Sequence, residues 1–364
     1  MEQSWTRSVR PTTNWRKTGL SHLKSTQFQV WAARPPACML AGAEPRALGD
    51  AILDVDLLAF ERGDSSQQQA VVDGVMRSLA TGFVTCRCDL SETLLDEAYG
   101  LLEQFFSMSA AEKQRFQVPE ACGQTGYTGT LVETAAGAEQ PDWKEMLNWS
   151  EPLPGSHPLR RRFPLLYPEQ VLPELLIPGI SSVLASFHRS IAELQRRMLR
   201  VIATGLGAHV DYFDAVVREA PTLTRAVHYP PMANAPDHDH IWAGAHGDIN
   251  LITALPRATA PGLQVLVEGE WINAVAPQGQ VIINSGLMLE WISNGRIANG
   301  WHRVVAPAGF QGDRLSVVQF CHARPTTVLT PLASCISAAH PQRFASTLAA
   351  DAVEEVLYRI NLLG

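Results

Sequence analysis

Apolar residues recur at helical spacing in both halves of the chain and at strand spacing in the stretch after residue 222. Residues 67–80 carry Ala70, Val71, Val75, Met76 and Leu79 on one helical face, and the run 82–86 (GFVTC) then reads as a strand. A shorter strand-like run precedes them at 51–56. Residues 91–106 predict a second helix opened by Ser91, and Ser109 to Glu112 has the S-x-x-E pattern of a capping box. The longest periodic stretch is Ile180, Val183, Leu184, Phe187, Ile191, Leu194, Met198, Leu199 and Ile202, which predicts a long amphipathic helix ended by Gly205 and Gly207. Between Cys122 and about Pro178, Gly, Pro and aromatics dominate and predict mostly loop.

The period then changes. Short β-rich runs at 249–255, 263–267, 271–274, 281–284, 302–305 and 315–321 alternate with Gly, Pro and Asn turns. Many short strands at such spacing predict a sandwich or barrel. After His340 the stripe Phe344, Leu348, Val353, Val356, Leu357 and Ile360 predicts a C-terminal helix. The organisation expected is an extension over 1–50 and an α/β region over 51–178. The central helix and β core with the site follow over 179–325, then a helical segment over 326–364. We read one domain, mainly β with α, built around the β core.

Composition narrows the function classes. The 364 residues are 46% hydrophobic and carry a net charge of −7, so there is no bulk basic footprint for nucleic acid. No apolar run reaches the ~18 residues of a membrane span. Residues 1–50 run the other way, with seven Lys or Arg against three acids. They lack the apolar core of a secretory signal. A basic start of this kind can mimic a transit peptide, but the expectation is a disordered, dispensable extension, with Met39 as a second possible start. Of the six cysteines only Cys86 and Cys88 are close, which argues against a paired-cysteine zinc site and against a disulfide framework. Reduced thiols and a cytoplasmic location are expected.

The chemistry-bearing residues lie in the β-rich part. His246-Gly247-Asp248 is H-x-D, and on a strand residues i and i+2 share a face. His302 lies on another predicted strand. Two imidazoles and a carboxylate make a facial triad that leaves metal positions open, as iron(II) oxygenases need. Arg314-Leu315-Ser316 repeats the i, i+2 logic, placing a guanidinium fork and a hydroxyl together as a carboxylate clamp. The clamp is expected to face the same cavity as the triad. A lone strand histidine is more often a satisfied core residue; the ordered set H-x-D, H, R-x-S is what carries the signal. The ligand-rich run Asp237-His238-Asp239-His240 reads as a solvated loop at the site's mouth. His228 is expected to pack on the face opposite Tyr229, Glu290 and Trp291 to pack between core strands, and His322 to face either way. Gly126-Tyr127-Thr128, Trp143 and Asn148 are candidate substrate contacts, with loop packing as the alternative.

Further motifs surround this set: His228-Tyr229-Pro230-Pro231; Pro261-Gly262-Leu263-Gln264-Val265 with Trp271-Ile272; Asn284-Ser285-Gly286; Ser293-Asn294-Gly295; and His302-Arg303-Val304. Upstream stand Gly82-Phe83, Phe105-Phe106 with Glu112-Lys113, and Asp142-Trp143-Lys144-Glu145. Over roughly residues 51–325 the chain resembles the isopenicillin N synthase-like family of Fe(II)/2-oxoglutarate-dependent oxygenases. The resemblance implies a double-stranded β-helix (jelly roll) braced by helices. It implies His246, Asp248 and His302 as iron ligands, Arg314 and Ser316 as the 2-oxoglutarate clamp, and Tyr229 as its helper. Fe(II), 2-oxoglutarate and O2 would be used to hydroxylate, desaturate or cyclise a small molecule, releasing succinate and CO2. The alternatives are an iron oxidase that does without 2-oxoglutarate and a non-catalytic jelly-roll binding module, the latter disfavoured by an intact triad. Asp248 likewise disfavours a halogenase. The chain departs from the family at Gly286-Leu287, where Gly-Asp is common, and in the insertion-like segment 234–240. Oligomeric state is left open.

Overall fold

β-branched and aromatic residues fit a pleated, half-buried surface, and the runs after residue 222 do form strands. The computed structural model describes residues 46–47, 52–135, 140–237 and 239–359. Apart from Arg46 and Ala47, the extension expected over 1–50 lies outside the described residues, as does Ile360.

The strands of the two main sheets are β1 (Arg46–Ala47), β2 (Asp54–Asp56), β3 (Phe83–Arg87), β4 (Gly126–Thr128), β5 (Glu145–Ser150), β6 (Leu223–Tyr229), β7 (Ala243–His246), β8 (Ile252–Leu255), β9 (Leu263–Val267), β10 (Glu270–Asn273), β11 (Gln280–Ser285), β12 (His302–Val304) and β13 (Arg314–Cys321). They build a five-stranded sheet, β1-β10-β9-β12-β7, and an eight-stranded sheet, β2-β3-β11-β8-β13-β6-β5-β4. From β7 to β13 the chain passes repeatedly between the two sheets, which is the winding of a double-stranded β-helix. Val265 and Val304 of the smaller sheet and Val227, Tyr229 and Ile282 of the larger belong to one buried apolar cluster, so the inner faces meet there.

Helices brace the larger sheet from outside. The 26-residue helix Ile180–Gly205 buries Leu184, Phe187, Ile191, Leu194 and Met198. Its fit to the sheet is set by polar anchors as well as apolar area. Gln195 Nε2 donates to the carbonyls of Ile252 (3.2 Å) and Gln319 (2.8 Å), and Trp149 Nε1 donates to Leu184 O (3.0 Å). Ser91 caps the helix Glu92–Phe106, and the Ser109–Glu112 capping box forms. Among the described residues no helix is long and apolar enough to cross a membrane.

Three elements depart from the sequence reading. Strands β4 and β5 lie inside the predicted loop. Their residues Glu145 and Asn148 are buried and polar, which breaks the alternation that marks a strand. The strand expected from 249 begins at Ile252, because Asp248 and Ile249 turn to meet the helix Leu287–Ile292, whose Leu287 and Met288 N–H groups donate to their carbonyls. The C-terminal helix begins at Ala349, and Phe344 and Leu348 precede it. Phe344 packs instead on Trp291, at 5.6 Å between ring centroids, and Trp291 Nε1 donates to Ala345 O (2.8 Å). Asn294 completes the dock by donating to Pro341 O (3.1 Å) and accepting from Arg343 N (2.8 Å).

Removing residues 341–364 strips these partners from the helix and turn that precede β12. The expected result is a thermal midpoint lower by roughly 5 °C or more, read by differential scanning calorimetry.

Candidate active site

Strand pairing places the two histidines. β12 runs antiparallel to β7 with His302 directly opposite His246, so the side chains share one face and their ring centroids stand 4.3 Å apart. His302 is also opposite Val265, which belongs to the inner apolar cluster; the face is the interior one.

Each imidazole is oriented by its own backbone. His246 Nδ1 is 2.8 Å from Gly244 O, and His302 Nδ1 is 3.0 Å from Gly300 O. A carbonyl can only accept, so each Nδ1 carries a proton, and in the neutral ring the lone pair lies on Nε2, facing the site. Burial, reinforced by His246, pushes His302 down to about 4, so that ring is neutral at pH 7.

Asp248 arrives by a different route from the one its spacing predicts. β7 ends at His246, and Asp248 lies in the following turn. The turn is closed by Leu287 N donating to Asp248 O (2.8 Å). It is also pressed against Asn299: a Cβ on Gly247 would stand 2.1 Å from Asn299 Nδ2, so any larger residue requires the turn or the Asn299 amide to give way. The carboxylate reaches across to the larger sheet. Thr253 and Asn284 are cross-strand partners there, and both donate to Asp248 Oδ2, at 2.5 and 2.8 Å. Burial alone would raise this carboxyl; the two imidazoles and these hydrogen bonds outweigh it and hold it below the usual carboxylate range. Oδ1 stays 3.9 Å from His246 Nε2. One ligand atom from each of the three residues lies within 4.8 Å of the others, and no second such group exists among the described residues. Two imidazole nitrogens and one carboxylate oxygen, held from behind, suit a divalent first-row metal with open positions.

The clamp residues lie on the inner face of the larger sheet. Arg314 Nη1 donates to Ser316 Oγ (2.8 Å) and Nε to Ala260 O (3.0 Å). Tyr229 is directly opposite Arg314, and the guanidinium carbon lies 5.0 Å from its ring centroid. Arg314 is 3% exposed, and burial pulls its pKa down. Its partners among the described residues are neutral, so the buried cation has no charge partner there and could take an anion. A cavity of about 480 Å³ reaches Arg314 and Ser316 along Leu255, Leu263 and Ile282. Neither the triad nor Tyr229 lines it. Clamp and triad share the inner faces of the barrel, on the larger and the smaller sheet.

Further along the same inner face, β6 and β13 carry Arg225 and Phe320, with the buried His322 just beyond. Burial lowers His322 to about 4, and its Nδ1 has no hydrogen-bond partner. Asn148 accepts from Arg225 Nε (2.7 Å) and donates to Gly126 O (3.1 Å), while Trp143 packs on the core and donates to Pro231 O (3.3 Å). His228 lies on the outer face as expected, between Glu145 (2.8 Å) and Asp313 (2.9 Å) and stacked on Phe106. In the rival loop His240 Nδ1 pairs with Asp237 (2.7 Å); His238 lies outside the described residues. Thr253 and Asn299 went unnoticed in the sequence. A threonine interrupting the apolar run 251–255 was the one available signal for the first.

A double-stranded β-helix with two histidines and a carboxylate on its inner wall defines a class, the non-haem metal oxygenases. A family model described as the 2OG-Fe(II) oxygenase superfamily matches residues 221–323, and one described as non-haem dioxygenase in morphine synthesis N-terminal matches residues 55–174. Mugineic-acid 3-dioxygenase of Hordeum vulgare is 28% identical, over 86% of this chain and 87% of its own. Leucoanthocyanidin dioxygenase of Malus domestica is 25% identical, over 80% and 77%. The crystal structure of a 2OG-Fe(II) oxygenase family protein from Caulobacter crescentus superposes with a TM-score of 0.75 at 29% identity, covering 86% of this chain and 100% of that one. The chain belongs to the Fe(II)/2-oxoglutarate-dependent oxygenase family. It is an oxidoreductase that uses Fe(II), 2-oxoglutarate and O2.

Gly247→Ala drives a methyl group into Asn299 and displaces the turn. Fe(II) affinity is expected to fall at least tenfold, and adding Asn299→Ala should recover most of the loss; anaerobic calorimetric titration with Fe(II) reads both.

Proposed function

We propose that His246, Asp248 and His302 hold the Fe(II), and that Arg314 and Ser316, with Tyr229, bind the distal carboxylate of 2-oxoglutarate. The substrate is a small molecule. One observation carries the reading: both imidazoles are fixed through Nδ1 to backbone carbonyls, so both Nε2 lone pairs are prepared for a metal beside an ionised carboxylate. The bound metal supplies O2 activation, coupled to conversion of 2-oxoglutarate to succinate and CO2 and to oxidation of the substrate.

The protein's own groups divide the work. Asp248 stays charged because Thr253 and Asn284 serve one of its oxygens, leaving the other for the metal. Arg314 offers the uncompensated charge that a distal carboxylate requires, and Ser316 fixes its fork. Leu255, Leu263 and Ile282 form an apolar wall beside the clamp, and the burial of Arg314 itself strengthens an ion pair made there. The relatives' names point to two different small compounds, which supports the substrate class without choosing a member. The five described cysteines are free, which supports a reducing, cytoplasmic setting.

Iron-loaded protein supplied with 2-oxoglutarate and O2 is expected to release succinate slowly even without substrate. Asp248→Ala should abolish that release and Fe(II) binding together; equal succinate from this variant sinks the triad assignment. Arg314→Lys replaces a fork by a point charge and should raise the 2-oxoglutarate Kd about tenfold or more, corresponding to ~1.4 kcal/mol. An unchanged Kd would move the clamp elsewhere.

A further inference from the structure

The smaller sheet ends at β7, the strand that delivers His246. β12 pairs with one side of β7 only, so groups on its other side need partners from elsewhere. They find them in residues 140–145. Asp142 N donates to Glu133 O (3.0 Å), which joins these residues to 131–135, and Trp143 N donates to Ile241 O (2.9 Å) just before β7. Asp142 Oδ1 then accepts from the N–H of Gly244 at 2.9 Å. Gly244 is the residue whose carbonyl receives His246 Nδ1 at 2.8 Å. A glycine has no side chain to hold it, so its orientation depends on what grips its two backbone groups.

Asp142 is itself held. It is 3% exposed, and its other oxygen meets Lys144 Nζ at 2.7 Å. Lys144 also meets Glu133 (2.5 Å), which pairs with Arg225 (3.1 Å). Two acids and two bases are thus buried as a balanced set. Isolated, each would cost several kcal/mol to bury. Paired, they leave Asp142 few orientations other than the one aimed at Gly244.

We propose that Asp142 is a positioning residue for the metal ligand His246, acting through the backbone of Gly244, with Lys144 fixing its carboxylate. The inference rests on the reading that His246 holds the metal. A purely structural role for Asp142, tying residues 131–135 to 140–145, is the competing account.

Full-length protein titrated with Co(II) alone separates the two, read by the visible ligand-field spectrum and by 15N-imidazole NMR of the metal-free state. In Asp142→Ala the Co(II) Kd should rise tenfold to a hundredfold. His246 should also lose its fixed Nδ1–H tautomer. Asp142→Asn keeps one oxygen for two donors and should show a threefold to tenfold rise. Unchanged Kd and an unchanged His246 tautomer in Asp142→Ala, whatever its thermal midpoint, overturn the proposal. Should the alanine variant fail to fold, the asparagine variant decides by the same two readings. His246→Ala runs alongside. If it binds Co(II) like the wild type, the metal assignment itself has failed, and the tautomer spectrum still decides the positioning.

Discussion

Two imidazoles face each other across a single pair of antiparallel strands, and the remainder of the site is arranged around that opposition. His246 and His302 are cross-strand partners, so the ladder between β7 and β12 sets their separation. A one-residue slip in that register would turn one ring outward and destroy the pair. The carboxylate comes from the same short stretch as His246, yet it is secured by the other sheet, through Thr253 and Asn284. The triad therefore draws on both sheets, and its geometry depends on how the inner faces pack. The apolar cluster containing Val265, Val304, Val227 and Ile282 keeps those faces at a fixed distance.

The barrel interior handles charge in two opposite ways. Glu133, Asp142, Lys144 and Arg225 are buried but balanced, each with a partner of opposite sign. Arg314 is equally buried and has only neutral partners among the described residues. A compensated group resists further ions, because an added charge has to displace an existing partner. An uncompensated one gains a partner on binding and has nothing to give up. This difference is why Arg314 is assigned to a diacid co-substrate, whereas Arg225, no less basic, is assigned to holding the segment beside β7.

Much of this arrangement was legible in the sequence, and the gaps have physical causes. The β core from 263 onward follows ordinary alternation, so its strands were read nearly to the residue. The i, i+2 argument succeeded for Arg314 and Ser316 because both lie on one continuous strand. Applied to His246 and Asp248, it paired two residues that do converge, but for another reason, since the strand ends between them and the turn does the aiming. β5 was missed because Glu145 and Asn148 sit where alternation expects apolar residues. The C-terminal segment misled in the opposite direction: Phe344 keeps helical spacing with Leu348 but is docked as loop by Asn294 and Trp291.

Residues that act through others were the least visible. Asp142 stood out in the sequence only as part of a motif, since the carboxylate–backbone–imidazole chain has no spacing signature: 104 positions separate it from His246. The contact lies where the strand of His246 has no neighbour. Placing β7 at the edge of its sheet removes the second ladder that would have stiffened the strand. A buried carboxylate replaces that missing strand at one backbone group without closing the edge. Rigidity that a neighbouring strand would have given comes at this point from a side chain brought in from the N-terminal half, next to the backbone group that orients His246.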